Sequence, residues 1–176
     1  MYASEQFEIQ RADTDDWFDA IIDTDTKLFV DPFLIFKERE GFWSDGHAIM
    51  MAHFNACFSL IVNSIGNVDS LAYKKAVALL TFREPKEMCL GYTSRGSRGS
   101  GGGPQYAATI AEAIGDAIAR GLVSLRHFVE LGILNEGIGP DRISDLACTI
   151  LKPKFIAYTQ EIAASRVQLG CASIYG

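Results

Sequence analysis

HAIMMAHFNACFSLIVNSIG, residues 47–66, is apolar over nearly its whole length. A run of this length and composition predicts a buried helix, begun at Ser44 or Asp45 and stopped near Gly66. The side chains expected to face the core are Met50, Phe54, Phe58 and Ile61. The fold is therefore expected to be built around one central helix.

Helical signals continue after this stretch. Residues 68–82 predict a helix capped by Asp69 or Ser70. Residues 104–121 predict a helix with Pro104 in its first turn, Gly121 just past its end, and a buried stripe of isoleucines (Ile110, Ile114 and Ile118). Further helices are expected at residues 122–134, at 141–151 and after Pro153.

Short strands are expected between the helices. The stretches FEIQ (7–10), LFV (28–30) and EMCLGYT (87–93) are rich in strand-forming residues. Asp31 is expected to be extended, because the ring of Pro32 disfavours helical geometry in the preceding residue. The predicted fold class is therefore α+β and helix-dominated, with several helices packed with a few short strands.

Composition limits the class of protein. The 176 residues, 48% hydrophobic and 22% charged, predict a single globular domain over residues 1–176. A net charge of -6 argues against a protein that coats nucleic acid by bulk electrostatics. The first residues carry acids and no apolar run of signal-peptide length, and polar groups break the longest apolar stretches before membrane-spanning length, so we expect a cytoplasmic protein with no membrane association. The cysteines at 57, 89, 148 and 171 are too far apart for a metal motif and are expected to be buried thiols.

A glycine-rich loop, TSRGSRGSGGGP at residues 93–104, is the first candidate site. A short strand, such a loop and a helix N-terminus together form an anion-binding geometry, to which arginines would add charge. The predicted ligand-binding residues are Arg95, Gly96, Arg98, Gly99, Gly101, Gly102 and Gly103. The pattern matches neither a P-loop nor a dinucleotide fingerprint, and a solvated connector or a lid remain alternatives.

The turn DRISD, residues 141–145, is the second candidate. Asp141 and Asp145 share a helix face and, with Glu84 as a third acid, are candidate catalytic residues that could hold Mg²⁺. The alternative is that Asp141 caps its helix and that Arg142 pairs with an acid elsewhere.

Three segments together resemble a family of largely uncharacterised bacterial proteins associated with phage-defence or restriction settings. The segments are LFVDPFLIF (28–36), REPKEMCLGYTSRGSRGSGGG (83–103) and GIGPDRISDLACTILKPKFIAYTQ (137–160). The resemblance covers most of the chain, and it implies that this chain corresponds to the N-terminal part of longer relatives. A nuclease of the PD-(D/E)xK type is not indicated, because Pro85 interrupts the nearest matching string and cannot join a central strand ladder.

Three functions follow as hypotheses. The first is a module that binds a phosphate-containing ligand or nucleic acid, linked to a nuclease or to defence, through the glycine-rich loop. The second is a non-catalytic domain that binds a protein partner or a second copy of itself. The third is a small metal-dependent hydrolase. Whether the chain catalyses a reaction stays open at this point.

Overall fold

The structure is a computed structural model, and it describes residues 1–15, 17–22, 24–82, 88–91, 103–122 and 139–172. The helices in this part of the chain are α1 (Ala3–Gln6), α2 (Pro32–Lys37), α3 (Gly46–Asn63), α4 (Leu71–Leu79), α5 (Pro104–Ala119), α6 (Pro140–Ile150) and α7 (Lys152–Ala172). They belong to two compact units. Unit 1 draws its residues from Met1–Leu28, Lys86–Arg98 and Lys152–Gly176, and unit 2 from Phe29–Pro85 and Gly99–Leu151.

Helix α3 is the centre of unit 2, where it packs against α2, α4, α5 and α6. The four residues predicted to face the core are all buried: Met50, Phe54, Phe58 and Ile61. Removing such side chains from water contributes about 1.5–3 kcal/mol each, which favours assembly around this helix. The prediction of a central helix is confirmed, although Ile49 and Val62 show that another side of α3 is exposed.

Helices α4 and α5 pack on α3 and on each other. Ser70 is the N-cap of α4, and its hydroxyl accepts a hydrogen bond from the amide of Tyr73 at 3.1 Å. In α5, Ile110 and Ile114 are buried as predicted, whereas Ile118 is only half-buried. Helix α5 ends before Gly121, whose φ of 99° needs a residue without a side chain.

The prediction of an α+β fold is wrong for the part of the chain that the structure describes. No β-strand occurs there, and pairing is limited to isolated bridges between Tyr2 and Ile21 and between Thr26 and Leu90. The predicted strands fail for local reasons. Glu8 and Cys89 have positive φ values of 53° and 51°, which bend the chain out of an extended ladder.

The stretch 28–30 fails as a strand for a different reason. The amide of Val30 donates to the side chain of Ser144 rather than to a neighbouring strand. Asp31 is extended, as predicted, and its carboxylate accepts from the amide of Phe33 at 2.9 Å, so that it caps α2. The chain therefore turns directly into a short helix that starts with Pro32.

Unit 1 is held together by polar contacts between distant parts of the chain. The amide and hydroxyl of Ser4 both donate to Asp19, at 2.9 and 2.5 Å. Arg11 lies 3.6 Å from the same carboxylate and stacks on Trp17. The guanidinium of Arg166, in α7, donates to Asp15. These contacts join the N-terminal segment to the last helix.

Candidate functional site

Most of the predicted loop site lies outside the described residues. This holds for Glu84, Arg95, Gly96, Arg98, Gly99, Gly101 and Gly102, and also for residues 123–134 of the helix expected at 122–134. Gly103 is described: it is the N-cap of α5 and is followed by Pro104 at the first helical position. The predicted ligand-binding set can therefore be followed in the structure only at its C-terminal end.

Arg142 contacts the first turn of the helix that follows the glycine-rich loop. Its guanidinium carbon lies 4.1 Å from the centre of the Tyr106 ring, which is a cation–π contact. Burial raises the pKa of Tyr106, and the nearby Arg142 opposes that shift. None of the ion pairs between described residues involves Arg142, so its expected pairing with an acid elsewhere stays a prediction.

Helices α5 and α6, which the contact between Tyr106 and Arg142 joins, begin in the same way. Gly103 and Gly139 are the N-caps of α5 and α6, each is followed by proline, and neither helix has a side-chain cap. Helix N-termini carry partial positive charge and amides that point at an anion. We call Gly103, Tyr106, Asp141, Arg142 and Asp145 the Arg142 site.

The two acids of the DRISD turn are both on α6, four residues apart. Asp141 is exposed in the first turn, where it complements the helix dipole but is not the N-cap, since Gly139 has that position. Asp145 is half-buried and influences the Cys148 thiol. Among the described residues no group of three or more His, Cys, Asp or Glu side chains could hold a metal ion. Glu84, the third candidate acid, lies outside them.

Ser144, within the same turn, has a structural contact that the sequence did not reveal. Its side chain is buried and its hydroxyl oxygen accepts the amide hydrogen of Val30 at 2.9 Å. Val30 of the LFVDP segment and Ser144 of the DRISD turn, which are far apart in sequence, therefore meet in unit 2. Burial raises the pKa of the neighbouring Cys148 thiol to about 12, despite an opposing hydrogen bond with Ser144.

A groove of about 480 Å³ lies elsewhere in unit 2, between the C-terminal end of α3, the turn into α4, and α5. Its floor includes the buried residues Ile61 and Ala111. Exposed aliphatic side chains form one wall (Val62, Ile65 and Val68), and the exposed acids Glu112 and Asp116 lie on the α5 wall. We call this feature the α3–α5 groove.

Tyr106, Ser144 and Ile65 were not predicted from the sequence, for identifiable reasons. Tyr106 is an aromatic residue in an Ala-rich helix, and nothing in its spacing predicts an arginine partner from another helix. Ser144 lies on the buried, apolar face of α6. A polar residue on such a face is the signal that could have indicated its structural contact. Ile65 immediately precedes a glycine at the predicted end of α3, where a β-branched residue is unusual and could have indicated a special turn.

None of the described helices is both long and apolar enough to cross a membrane. Comparison with curated proteins and with solved structures finds no match. A sequence model for one family does match, and it spans nearly all of the chain. The chain therefore belongs to the family described as a domain of unknown function (DUF8370), whose model matches residues 8–173.

Proposed function

We propose that the chain binds a phosphate-bearing ligand at the Arg142 site. The observation that supports this best is the stacking of Arg142 on Tyr106 at 4.1 Å, beside the end of the glycine-rich loop. Stacking uses the face of the guanidinium and leaves its N–H edge able to donate two parallel hydrogen bonds to phosphate oxygens. The ring also restricts the side chain before the ligand arrives, which reduces the entropy lost on binding.

The helix starts and the two acids favour a particular mode of binding. The amides at the starts of α5 and α6 would attract an anion, whereas the carboxylates of Asp141 and Asp145 would repel it. Asp141 and Asp145 would be compatible with the anion if they held Mg²⁺, because Mg²⁺ in proteins is commonly bound by one or two carboxylates together with phosphate oxygens of the ligand. The proposal therefore includes phosphate binding that is strengthened by Mg²⁺.

The test is calorimetric titration with inorganic phosphate, a nucleoside triphosphate and a 5′-phosphorylated single-stranded oligonucleotide, each with and without Mg²⁺. Arg142→Gln is expected to weaken binding at least about tenfold, the effect of losing a charge-assisted hydrogen bond. Arg39→Gln is the matched control, because Arg39 also stacks on an aromatic ring, that of Phe36 at 5.2 Å. Equal weakening in both variants would assign binding to general charge, and no heat with any probe would refute the proposal.

The contribution of the loop is tested separately with the double substitution of Arg95→Ala and Arg98→Ala. If the loop arginines contact the phosphate, the double variant loses affinity and retains the thermal stability of the parent. Binding at the parent affinity would restrict the site to Arg142 and the helix starts. The three probes distinguish a free anion, a nucleotide and a nucleic-acid end, and so test the expected link to nucleic acid.

A further inference from the structure

We propose that the α3–α5 groove is a docking site for a basic amphipathic peptide segment of a protein partner. The first observation is the exposure of its apolar wall. Val62, Val68 and above all Ile65, which is 91% exposed, present aliphatic surface to water. Solitary exposed apolar residues are common, but here they line the same groove.

The backbone at Ile65 is the second observation. This residue has a φ of 53°, in the left-handed region that a β-branched side chain rarely adopts. The neighbouring Gly66 has a φ of 72° and adopts this region without steric cost. The side chain of Ile65 buries too little surface to offset this strain, and such strain is concentrated at binding and functional sites.

Charge identifies the chemistry of the partner. Glu112 and Asp116, one helical turn apart on α5, are exposed and form no ion pair with any described residue. Glu112 is close enough to the Tyr73 hydroxyl to help raise its pKa, after burial as the larger cause. The described residues lining the groove include these two carboxylates and no lysine or arginine. An apolar trough edged by these two exposed acids complements an apolar side chain flanked by lysine or arginine.

The open shape favours a peptide over a small molecule. Small-molecule sites enclose most of the ligand surface, whereas the walls of this groove are themselves exposed. A helix that places apolar residues at i, i+3 and i+4 would set them along the trough and its basic residues toward Glu112 and Asp116. This docking is separate from the Arg142 site, because none of that site's residues line the groove.

The probe is a fluorescently labelled amphipathic peptide of leucine and lysine. It is about 15 residues long, so that it can form a helix in water. Its control has the same leucines with glutamate in place of every lysine. We expect the lysine peptide to bind at least tenfold more tightly in fluorescence anisotropy, with an affinity that falls as salt is added. Amide shifts in NMR spectra are expected at Val62, Ile65 and Val68.

Matched variants separate docking from general effects. Ile65→Asn should lower affinity about tenfold without lowering thermal stability, whereas Glu8→Asn, at the left-handed residue Glu8 outside the groove, should leave affinity unchanged. Glu112→Gln with Asp116→Asn should abolish the preference for the lysine peptide. The same charge change made by Glu38→Gln with Glu40→Gln, at exposed acids outside the groove, should retain that preference.

Several results would overturn the proposal: no binding of the lysine peptide, equal binding of both peptides, or full binding by Ile65→Asn. Self-association that Ile65→Asn abolishes would assign the groove to a second copy of the chain instead. Arg142→Gln is expected to leave peptide binding unchanged, so failure of the phosphate proposal and failure of this one give different results.

Discussion

Ile65 has an energetically costly backbone conformation that the isolated fold does not explain. Its side chain buries almost nothing, and its backbone lies where an L-residue with a branched Cβ is crowded against its own carbonyl. Asparagine or glycine would adopt the same turn more easily. The stability of the fold and the proposed docking thus make opposite demands on this position.

Replacing Ile65 with asparagine is therefore expected to stabilise the fold. The left-handed conformation costs a branched residue about 1–2 kcal/mol, and we expect Ile65→Asn to recover about 1 kcal/mol of the free energy of unfolding. Urea denaturation followed by circular dichroism measures this. Ile65→Val keeps the branch and should change stability little. A destabilised Ile65→Asn would mean that the side chain makes a contact important to the fold.

His53 is expected to make stability depend on pH. Burial lowers its pKa below the ordinary value near 6.5, and the hydrogen bond from its Nε2 to the Leu79 carbonyl, at 3.0 Å, only partly opposes this. The unfolded chain therefore takes up this proton more readily, so stability is full above pH 6.5 and falls as the pH drops through that value. Denaturation between pH 5 and 8 measures the slope, and His53→Gln should reduce it. An unchanged slope in that variant would assign the dependence to other groups.

Substitution of Ser144 tests whether the buried residue of the DRISD turn stabilises the fold. Ser144→Ala removes the acceptor for the Val30 amide and should cost about 1–3 kcal/mol of unfolding free energy. Ser59→Ala, at an exposed serine that bonds to the carbonyl of Asn55 within its own helix, should cost little. Chemical denaturation of both variants decides this, and equal effects would contradict the assigned role.

At the scale of elements, two helical glycines differ in how much room their neighbours leave for a Cβ atom. A Cβ on Gly46, in the first turn of α3, would lie 2.6 Å from Cγ2 of Ile35 in α2. A Cβ on Gly115, inside α5, would lie at ordinary contact distance, 3.8 Å from Cγ2 of Ile61. The first glycine is required by the close approach of α2 and α3, and the second is not required by its neighbours.

Alanine at these two positions should therefore have opposite effects. Gly46→Ala is expected to destabilise by about 1–3 kcal/mol, because Ile35 is buried and its branched Cγ2 cannot swing away. Gly115→Ala should stabilise by about 0.5–1 kcal/mol through helix propensity. Thermal unfolding of the pair provides the measurement. Destabilisation by Gly115→Ala would contradict the room for a Cβ between α3 and α5.

At the scale of the whole molecule, the chain is organised as two units that are each discontinuous in sequence. Unit 2 has a conventional apolar core around α3, with Met50, Phe54, Ile110, Ile114 and Leu151 almost inaccessible to water. Unit 1 depends more on polar contacts, of which the pair of Asp15 and Arg166 is the least exposed. The two units are therefore expected to respond differently to loss of an ion pair.

Breaking that pair should loosen unit 1. The side chain of Asp15 is only 3% exposed, so Arg166→Met leaves a buried carboxylate without its cation, at a cost of about 3–5 kcal/mol. Hydrogen exchange should accelerate in residues 1–15 and 152–166 while α3 keeps its protection. Adding Asp15→Asn to Arg166→Met should restore part of the loss. Uniform acceleration through α3 would instead show that both units unfold together.

Local patterns predicted the helices far better than they predicted the strands. The apolar run that became α3, the cap at Ser70 and the glycine after α5 are signals contained within a few neighbouring residues. The strand predictions rested on propensity alone, and propensity could not show that Val30 would pair with a serine from another segment. The site prediction named Gly103, Asp141 and Asp145 but omitted Tyr106, because a cation–π partner leaves no pattern in either helix.

The sequence by itself determined the helical character of the described chain, the core-facing residues of α3 and the turns that end its helices, because periodicity, caps and glycines act locally. Only the tertiary structure decided that Arg142 lies over Tyr106, that Ser144 receives the Val30 amide, and that Ile65 joins Glu112 and Asp116 around one groove. These contacts join residues tens of positions apart, and the free energy that brings them together comes from packing the whole core.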